Sequence, residues 1–217
     1  MPNWCYQQLQ VSGSNADLNA FVKATKQISD AGETYYGLNH LFPIPQELRE
    51  TKSGWFGDPE EQAKQEAQEN ENILKYGFRD WYDWANSNWG TKWGACDFEW
   101  TGVDDDDTST CFSADFTSAW SPISNLLRKI SEDFPKLVFS LVFTEESDAF
   151  VGYEVFYKGE VVGGNGEAPK VPQELIDKVD EEPWLLDDWR NDTKYKYEQE
   201  ASKDVSNALQ ELHKERL

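Results

Sequence analysis

Apolar and polar positions alternate through residues 4–11 well enough to approach a period of two, with Trp4, Tyr6, Leu9 and Val11 as the apolar content. That period predicts a strand. Ser12-Gly13-Ser14-Asn15 then offers a turn and a helix cap, with Ser14 and Asp17 spaced as in a capping box. Leu18, Phe21, Val22, Thr25 and Ile28 follow at helical spacing. After Lys92 the period of two returns: Cys96, Phe98 and Trp100 share one face, Asp97 and Glu99 the other. Phe112, Ala114 and Phe116 alternate on a returning strand, and the polar turn Asp104–Asp107 between the two runs predicts a hairpin. Ser121-Pro122 reads as a helix start, an N-cap followed by Pro at the first position. Ile123, Leu126, Leu127, Ile130 and Phe134 trace its apolar face, and Pro135 ends it. Leu137, Phe139, Leu141 and Phe143 alternate as a strand, as do Val151, Tyr153, Val155 and Tyr157; Lys158-Gly159 turns the chain into a short run ending at Gly163-Gly164.

Residues 33–91 break this rhythm. They hold a Pro-containing turn at 41–48, the Gly-bounded pair Trp55-Phe56, a polar helical stretch from Pro59 to about Leu74 capped by Asp58, and a second short helix at 79–88. They read as an insertion after the first helix. The order β-α-(insertion)-β-β-α-β-β is then the βαββαβ arrangement of a ferredoxin-like antiparallel sheet with an extra strand, an α+β fold. The ferredoxin-like domain is expected over residues 1–170, with a helical, acidic C-terminal extension at 171–217. Val205, Ala208, Leu209 and Leu212 give that extension an apolar stripe. It either packs back on the domain or presents a helix to a partner.

Charge narrows the function. The 217 residues carry 41 Asp plus Glu against 20 Lys plus Arg, a net of −21. The excess recurs through the insertion, the sheet region and the C-terminal segment, while residues 1–32 are balanced. Binding to nucleic-acid phosphates or anionic lipid normally requires a Lys/Arg patch, so neither is an expected partner. A basic protein, or one that grips nucleic acid, is favoured. The plainer alternative is that acidic surfaces keep proteins soluble. Aromatic residues make up 14% of the chain, enough to build a core and to argue against disorder. Cys5, Cys96 and Cys111 match no zinc spacing, and reduced, mostly buried thiols are expected. The N-terminus lacks the regions of a signal peptide and no run is long enough for a membrane span, which together predict a cytoplasmic protein.

Several motifs carry a more specific likeness. The opening Met1-Pro2-Asn3-Trp4-Cys5, the turn Leu41-Phe42-Pro43-Ile44-Pro45, and the run Trp81-Tyr82-Asp83-Trp84 leading into Asn88-Trp89-Gly90-Thr91-Lys92-Trp93 resemble the YubB-type proteins of plasmids and phages. The Trp120-Ser121-Pro122 and Phe134-Pro135 dipeptides suit the same pattern, and the likeness covers roughly residues 1–165. It implies a ferredoxin-like domain in an accessory protein of a mobile element, in a setting where genes help an incoming element survive host defence. It implies no activity, and the acidic C-terminal segment lies outside it.

Candidate chemistry is sparse. No nucleophile elbow, phosphate-cradling loop or metal-ligand spacing occurs, and neither His40 nor His213 has a catalytic context. No cofactor or metal is expected, and an enzyme is not the favoured class. Asp104, Asp105, Asp106 and Asp107, with Asp187 and Asp188, are the candidate contacts to a basic host protein, although adjacent aspartates on a hairpin tip more often simply repel one another in solvent. Trp55, Trp81, Trp84 and Trp89 either tie the insertion to the core or line a pocket that stacks a nucleotide or other small molecule. The leading expectation is an acidic binding protein that inhibits a host defence protein, in its sharpest form by nucleic-acid mimicry. Duplex DNA of about 44 Å, roughly the diameter of a compact chain of this length, carries about 26 charges. The net of −21 is of that order.

Overall fold

In chain order the elements are β1 (Trp4–Ser12), α1 (Asn15–Thr25), β2 (Lys26–Ile28), β3 (Thr34–Tyr36), α2 (Gln46–Glu50), α3 (Pro59–Tyr76), α4 (Trp81–Asn88), β4 (Cys96–Gly102), β5 (Cys111–Ala119), α5 (Ser124–Asp133), β6 (Val138–Glu145), β7 (Val151–Tyr157), β8 (Glu160–Glu167), α6 (Gln173–Ile176) and α7 (Trp184–Lys214). The computed structural model describes residues 2–54, 57–103, 108–178 and 180–214. Trp55 and Asp104–Asp107 lie outside them.

Six strands form one antiparallel sheet in the order β4-β5-β1-β6-β7-β8, and β2 with β3 forms a small separate hairpin. The first four strands, with α1 and α5, are the ferredoxin-like unit; β7 and β8 extend it at one edge. Local signals explain most boundaries. The Ser14 hydroxyl accepts from the Asp17 amide and starts α1. Asp58 caps α3 ahead of Pro59, and Gly77 ends that helix at φ 79°, in the left-handed region glycine tolerates. Asp80, itself buried, caps α4 through the Tyr82 and Asp83 amides.

Two boundaries depart from the sequence expectation. Ile28 fits the spacing of the first helix, yet α1 stops at Thr25 and Ile28 is exposed in β2. The second departure is α5, which begins at Ser124 rather than at Ser121-Pro122. The Ser121 hydroxyl is taken by the Gly90 carbonyl, and the Ile123 amide donates to the Gln7 side chain instead of entering the helix ladder.

One core fills the space between the sheet and α1, α4 and α5. Leu9, Phe21, Phe112, Leu127, Ile130 and Phe139 are buried there. The insertion joins it through Leu48, Trp84 and Trp89. A second core lies on the opposite face of the sheet, where Val138, Val142, Val151, Tyr153, Val155 and Tyr157 meet Tyr197, Ala201, Ala208 and Leu212 of α7. Within the acidic C-terminal extension, α7 thus docks on the sheet. It covers β6, β7 and β8. On that same face β4, β5 and β1 lack such a cover, and Tyr6 of β1 is half exposed.

Candidate functional site

The half-covered sheet leaves a groove whose wall is α7. Its floor comes from the solvent-facing positions of β1, β5 and β6. Tyr6, Gln8, Thr117 and Thr144 lie there, because their neighbours Leu9, Phe116 and Phe143 point into or against the helical core. Three carboxylates line it: Asp97 and Glu99 from β4 and Asp115 from β5. Register brings them together. Glu99 lies directly opposite Asp115, and a bulge between Cys96 and Glu99 inserts one extra residue. Asp97 occupies that bulge at φ 52°, a left-handed conformation that Asp tolerates better than most residues. The bulge also corrects the expected alternation. Cys96 lies opposite Thr117, on the groove side, while Trp100 lies opposite Ala114 of the core.

None of Asp97, Glu99 and Asp115 is in an ion pair among the described residues. Thr117 Oγ1 is buried beside them without a hydrogen-bond partner. The groove has a volume of about 380 Å³, and among the described residues the cation that lines it is Lys194 of α7, 3.8 Å from Glu198. Lys194, Tyr6 and Thr144 also line a smaller, more apolar hollow of about 170 Å³, reached between the β6–β7 turn and α7 and bordered by Phe150, Val151 and Trp189. The two hollows therefore adjoin across Tyr6, Thr144 and Lys194, the apolar recess beside the acidic trough.

Arg190 fixes the wall. Its guanidinium forks onto Asp148 of the β6–β7 turn, at 2.6 Å from Nη2 and 2.9 Å from Nε, and reaches Asp187 at 3.3 Å. These hydrogen bonds to Asp148 push the guanidinium further up from its already high ordinary value. Asp187 serves this structural pair, and Asp188 is exposed beside it. Both sit at the start of α7, and neither lines the groove that holds the three carboxylates of β4 and β5.

Glu145, at the end of β6, is 4% exposed and organises the same turn. Its Oε2 accepts from the Ser147 and Ala149 amides, while Oε1 is buried without a partner. Burial pushes this carboxyl up, but the Ala149 and Ser147 amides outweigh it and hold it below its ordinary value of 4.5. A carboxyl depressed in the folded state adds stability above its unfolded value, and that contribution is lost as pH falls through the folded value. The Glu145→Gln variant is accordingly expected to be less stable than the parent near neutral pH. The gap closes as urea unfolding is repeated at progressively lower pH below 4.5. A gap independent of pH would contradict this role.

The tryptophans named from sequence divide. Trp84 and Trp89 are core residues at 6% and 5% exposure, packed edge to face at 5.5 Å, with the Trp89 indole donating to the Phe42 carbonyl. Trp81 is half buried against Tyr82. None of these three lines either hollow described above. The exposed rings are others: Trp93 and Trp120 stack at 6.4 Å with Lys92 Nζ 4.5 Å from the Trp93 centroid. Of the three thiols, Cys5 is buried and pushed up to about 12 by that burial, Cys96 is half buried, and Cys111 is exposed, so the expectation of mostly buried thiols holds for Cys5 only.

Among the described residues no group of three His, Cys, Asp or Glu side chains is placed to hold a metal, and no helix is long and apolar enough to cross a membrane. The groove residues Asp97, Glu99, Asp115, Trp189 and Lys194 were not singled out from sequence. The signal was present for the acids. They are the polar partners of two alternating strands joined by one hairpin.

None of the curated proteins matches the chain. Among solved structures, the crystal structure of protein Api92 from Yersinia pseudotuberculosis is similar at a TM-score of 0.45 and 11% identity, covering 79% of this chain and 100% of that one. Residues 89–182 match the family described as the ferredoxin-like domain in Api92-like protein. The match runs from before β4 through α6, so the ferredoxin-like fold traced in the sheet is also that of the Api92-like family to which this part of the chain is similar.

Proposed function

We propose that this chain is an acidic binding protein whose groove between α7 and β4–β5–β1 receives a basic segment of another protein. The observation that carries the reading is the set of three carboxylates, Asp97, Glu99 and Asp115, which share one trough, form no ion pair among the described residues, and adjoin the recess beside Trp189. Grouped uncompensated carboxylates repel one another, and a Lys/Arg-bearing segment relieves that repulsion. Trp189 supplies the aromatic type of anchor on which interfaces concentrate affinity. The likeness to YubB-type proteins of plasmids and phages supports a host defence protein as the target. Nucleic-acid mimicry is the narrower form of this reading. It requires carboxylates in one rod-like row, whereas acidic residues here occupy α3 in the insertion and α7 across the sheet, so a local trough is the form we favour.

The test is capture of proteins from a bacterial lysate with the parent and with the combined variant Asp97→Asn, Glu99→Gln, Asp115→Asn. All three side chains sit on exposed positions, and circular dichroism checks that the fold is kept. Basic proteins held at low salt and released at high salt are expected for the parent, with binding at least about tenfold weaker for the variant, a loss of roughly 1.4 kcal/mol. A partner retained equally by the variant would remove the groove from the account.

A further inference from the structure

At the end of the sheet away from the groove, β8 is an edge strand that pairs with β7 alone. An edge presents a row of unpaired backbone N–H and C=O groups, a template for another strand. Among the described residues, no backbone group of Glu160–Glu167 bonds beyond the β7 ladder. Natural edges are blunted by being short, by Lys or Pro, or by a covering element. β8 is eight residues long, has neither Lys nor Pro, and departs from regularity only near its start, where Val162 has no β7 partner.

The two faces of this edge differ in chemistry. On the α7 side stand Glu160, Gly163, Asn165 and Glu167, opposite Tyr157, Val155, Tyr153 and Val151. α7 adds Glu200, bonded to Asn165 at 3.1 Å, and Asp204, which lies so near Gly163 that a Cβ there would meet its carboxylate at 2.2 Å. Lys196 offsets Glu167 at 3.6 Å, while Glu160, Glu200 and Asp204 have no ion pair among the described residues. On the other face Val161, Gly164 and Gly166 stand opposite Phe156, Glu154 and Gly152. Val161, Gly164 and Gly166, with Phe143 and Glu154, border an open, glycine-floored hollow of about 550 Å³ that Gly163 and Asn165 also line.

We propose that β8 takes an added strand: an extended segment of a partner protein in which Lys or Arg alternates with a bulky aliphatic residue. In strand addition the backbone supplies affinity and alternate side chains supply specificity. Cationic positions reach Glu160, Glu200 and Asp204 on the α7 side. Aliphatic positions fill the glycine-floored hollow beside Val161 and Phe143. A second copy of β8 fits poorly, because antiparallel self-pairing sets Glu160 against Glu167 of the other chain and brings no cations. The edge and the groove lie at opposite ends of the sheet, so each reading can fail without the other.

The experiment titrates a capped octapeptide alternating Lys and Val into the intact protein, followed by fluorescence anisotropy and amide hydrogen exchange. Salt-sensitive binding with slowed exchange of the amides of residues 160–167 is expected, and an octapeptide alternating Glu and Val does not bind. The peptide is then N-methylated on either set of alternate residues, which keeps its side chains and deletes donors. One set weakens binding at least about tenfold and the other leaves it nearly unchanged, since only one set faces β8. The Glu200→Gln, Asp204→Asn variant also binds more weakly. Equal affinity for both methylated peptides, binding without protection at 160–167, or no binding overturns the proposal. So does protection at 160–167 that rises with protein concentration in the absence of peptide, which would give the edge to a second copy.

Discussion

Replacing Tyr197 by Ala is expected to remove about 3–5 kcal/mol of stability, the range for deleting a large aromatic ring from a core. Tyr197 is 1% exposed and lies at the centre of the second core, its ring 6.2 Å from that of Tyr153. Its hydroxyl donates to Glu167 Oε1 at 3.0 Å, and burial together with that carboxylate pushes its own ionisation up to about 12. No other aromatic residue of α7 is fully buried. Truncation therefore leaves a void under α7 and removes one hydrogen bond from Glu167, which keeps Lys196 at 3.6 Å. The conservative Tyr197→Phe change keeps the ring and deletes one hydrogen bond, for a loss of about 1 kcal/mol. Urea unfolding of the three proteins measures the difference, and hydrogen exchange over 184–214 shows whether α7 loosens first. Because α7 is also the groove wall, the Ala variant should lose partner binding before it loses the sheet. An Ala variant within about 1 kcal/mol of the parent would mean that α7 is held elsewhere.

The parts of this fold that a sequence reveals are those where one local period decides. β5 alternates cleanly, α1 has its cap at Ser14, and α3 has Asp58, Pro59 and Gly77 at its ends. Boundaries set by distant partners are not visible in that way. Ile28 continues the helical spacing of α1, but the chain turns into β2 to pair with Thr34–Tyr36. Ser121-Pro122 has the composition of a helix start, but Gly90 and Gln7 take the polar groups that would have made it one. The docking of α7 lies between these cases. Val205, Ala208, Leu209 and Leu212 mark an apolar stripe, and Ala201 and Tyr197 continue it about one and two turns upstream. Which face of the sheet it covers cannot follow from the alternation of β7, since a strand with one apolar face reads the same from either side.

The candidate site was less legible for a related reason. Runs such as Asp104–Asp107 and the pair Asp187-Asp188 draw notice because acids are adjacent in sequence, yet adjacency in a strand or turn does not gather side chains on one surface. Asp97, Glu99 and Asp115 are gathered by register: a hairpin, a bulge that adds one residue, and the opposition of Glu99 to Asp115. Of the two readings of the tryptophans, Trp84 and Trp89 follow the one that ties the insertion to the core, while Trp189, at the same five-residue spacing from Trp184, reaches the groove because α7 docks there.

The second large effect is expected at Gly152, where a Val should cost at least about 3 kcal/mol, the upper part of the range for overpacking. The cost is steric rather than conformational, since Gly152 does not need a left-handed backbone. A Cβ there would lie 2.6 Å from the Asn165 carbonyl oxygen, 2.8 Å from the Gly166 Cα and 3.0 Å from Phe143 Cζ. Two of those three atoms are backbone of β8, so relief requires the β7–β8 ladder to part. Its register partner is the control. At Gly166 the nearest approach of a Cβ is 3.3 Å, to the Val151 carbonyl oxygen, and the next is 3.6 Å, so Gly166→Ala is expected to cost under about 1 kcal/mol. Urea unfolding separates the two variants, and faster exchange of the 160–167 amides in Gly152→Val alone would locate the damage in β8. That variant also bears on the edge proposal: a β8 displaced from β7 cannot hold an incoming strand in register, so the Lys–Val peptide should bind Gly166→Ala and fail with Gly152→Val. Equal stability of the two variants would show that the hairpin does not close as tightly as this packing requires.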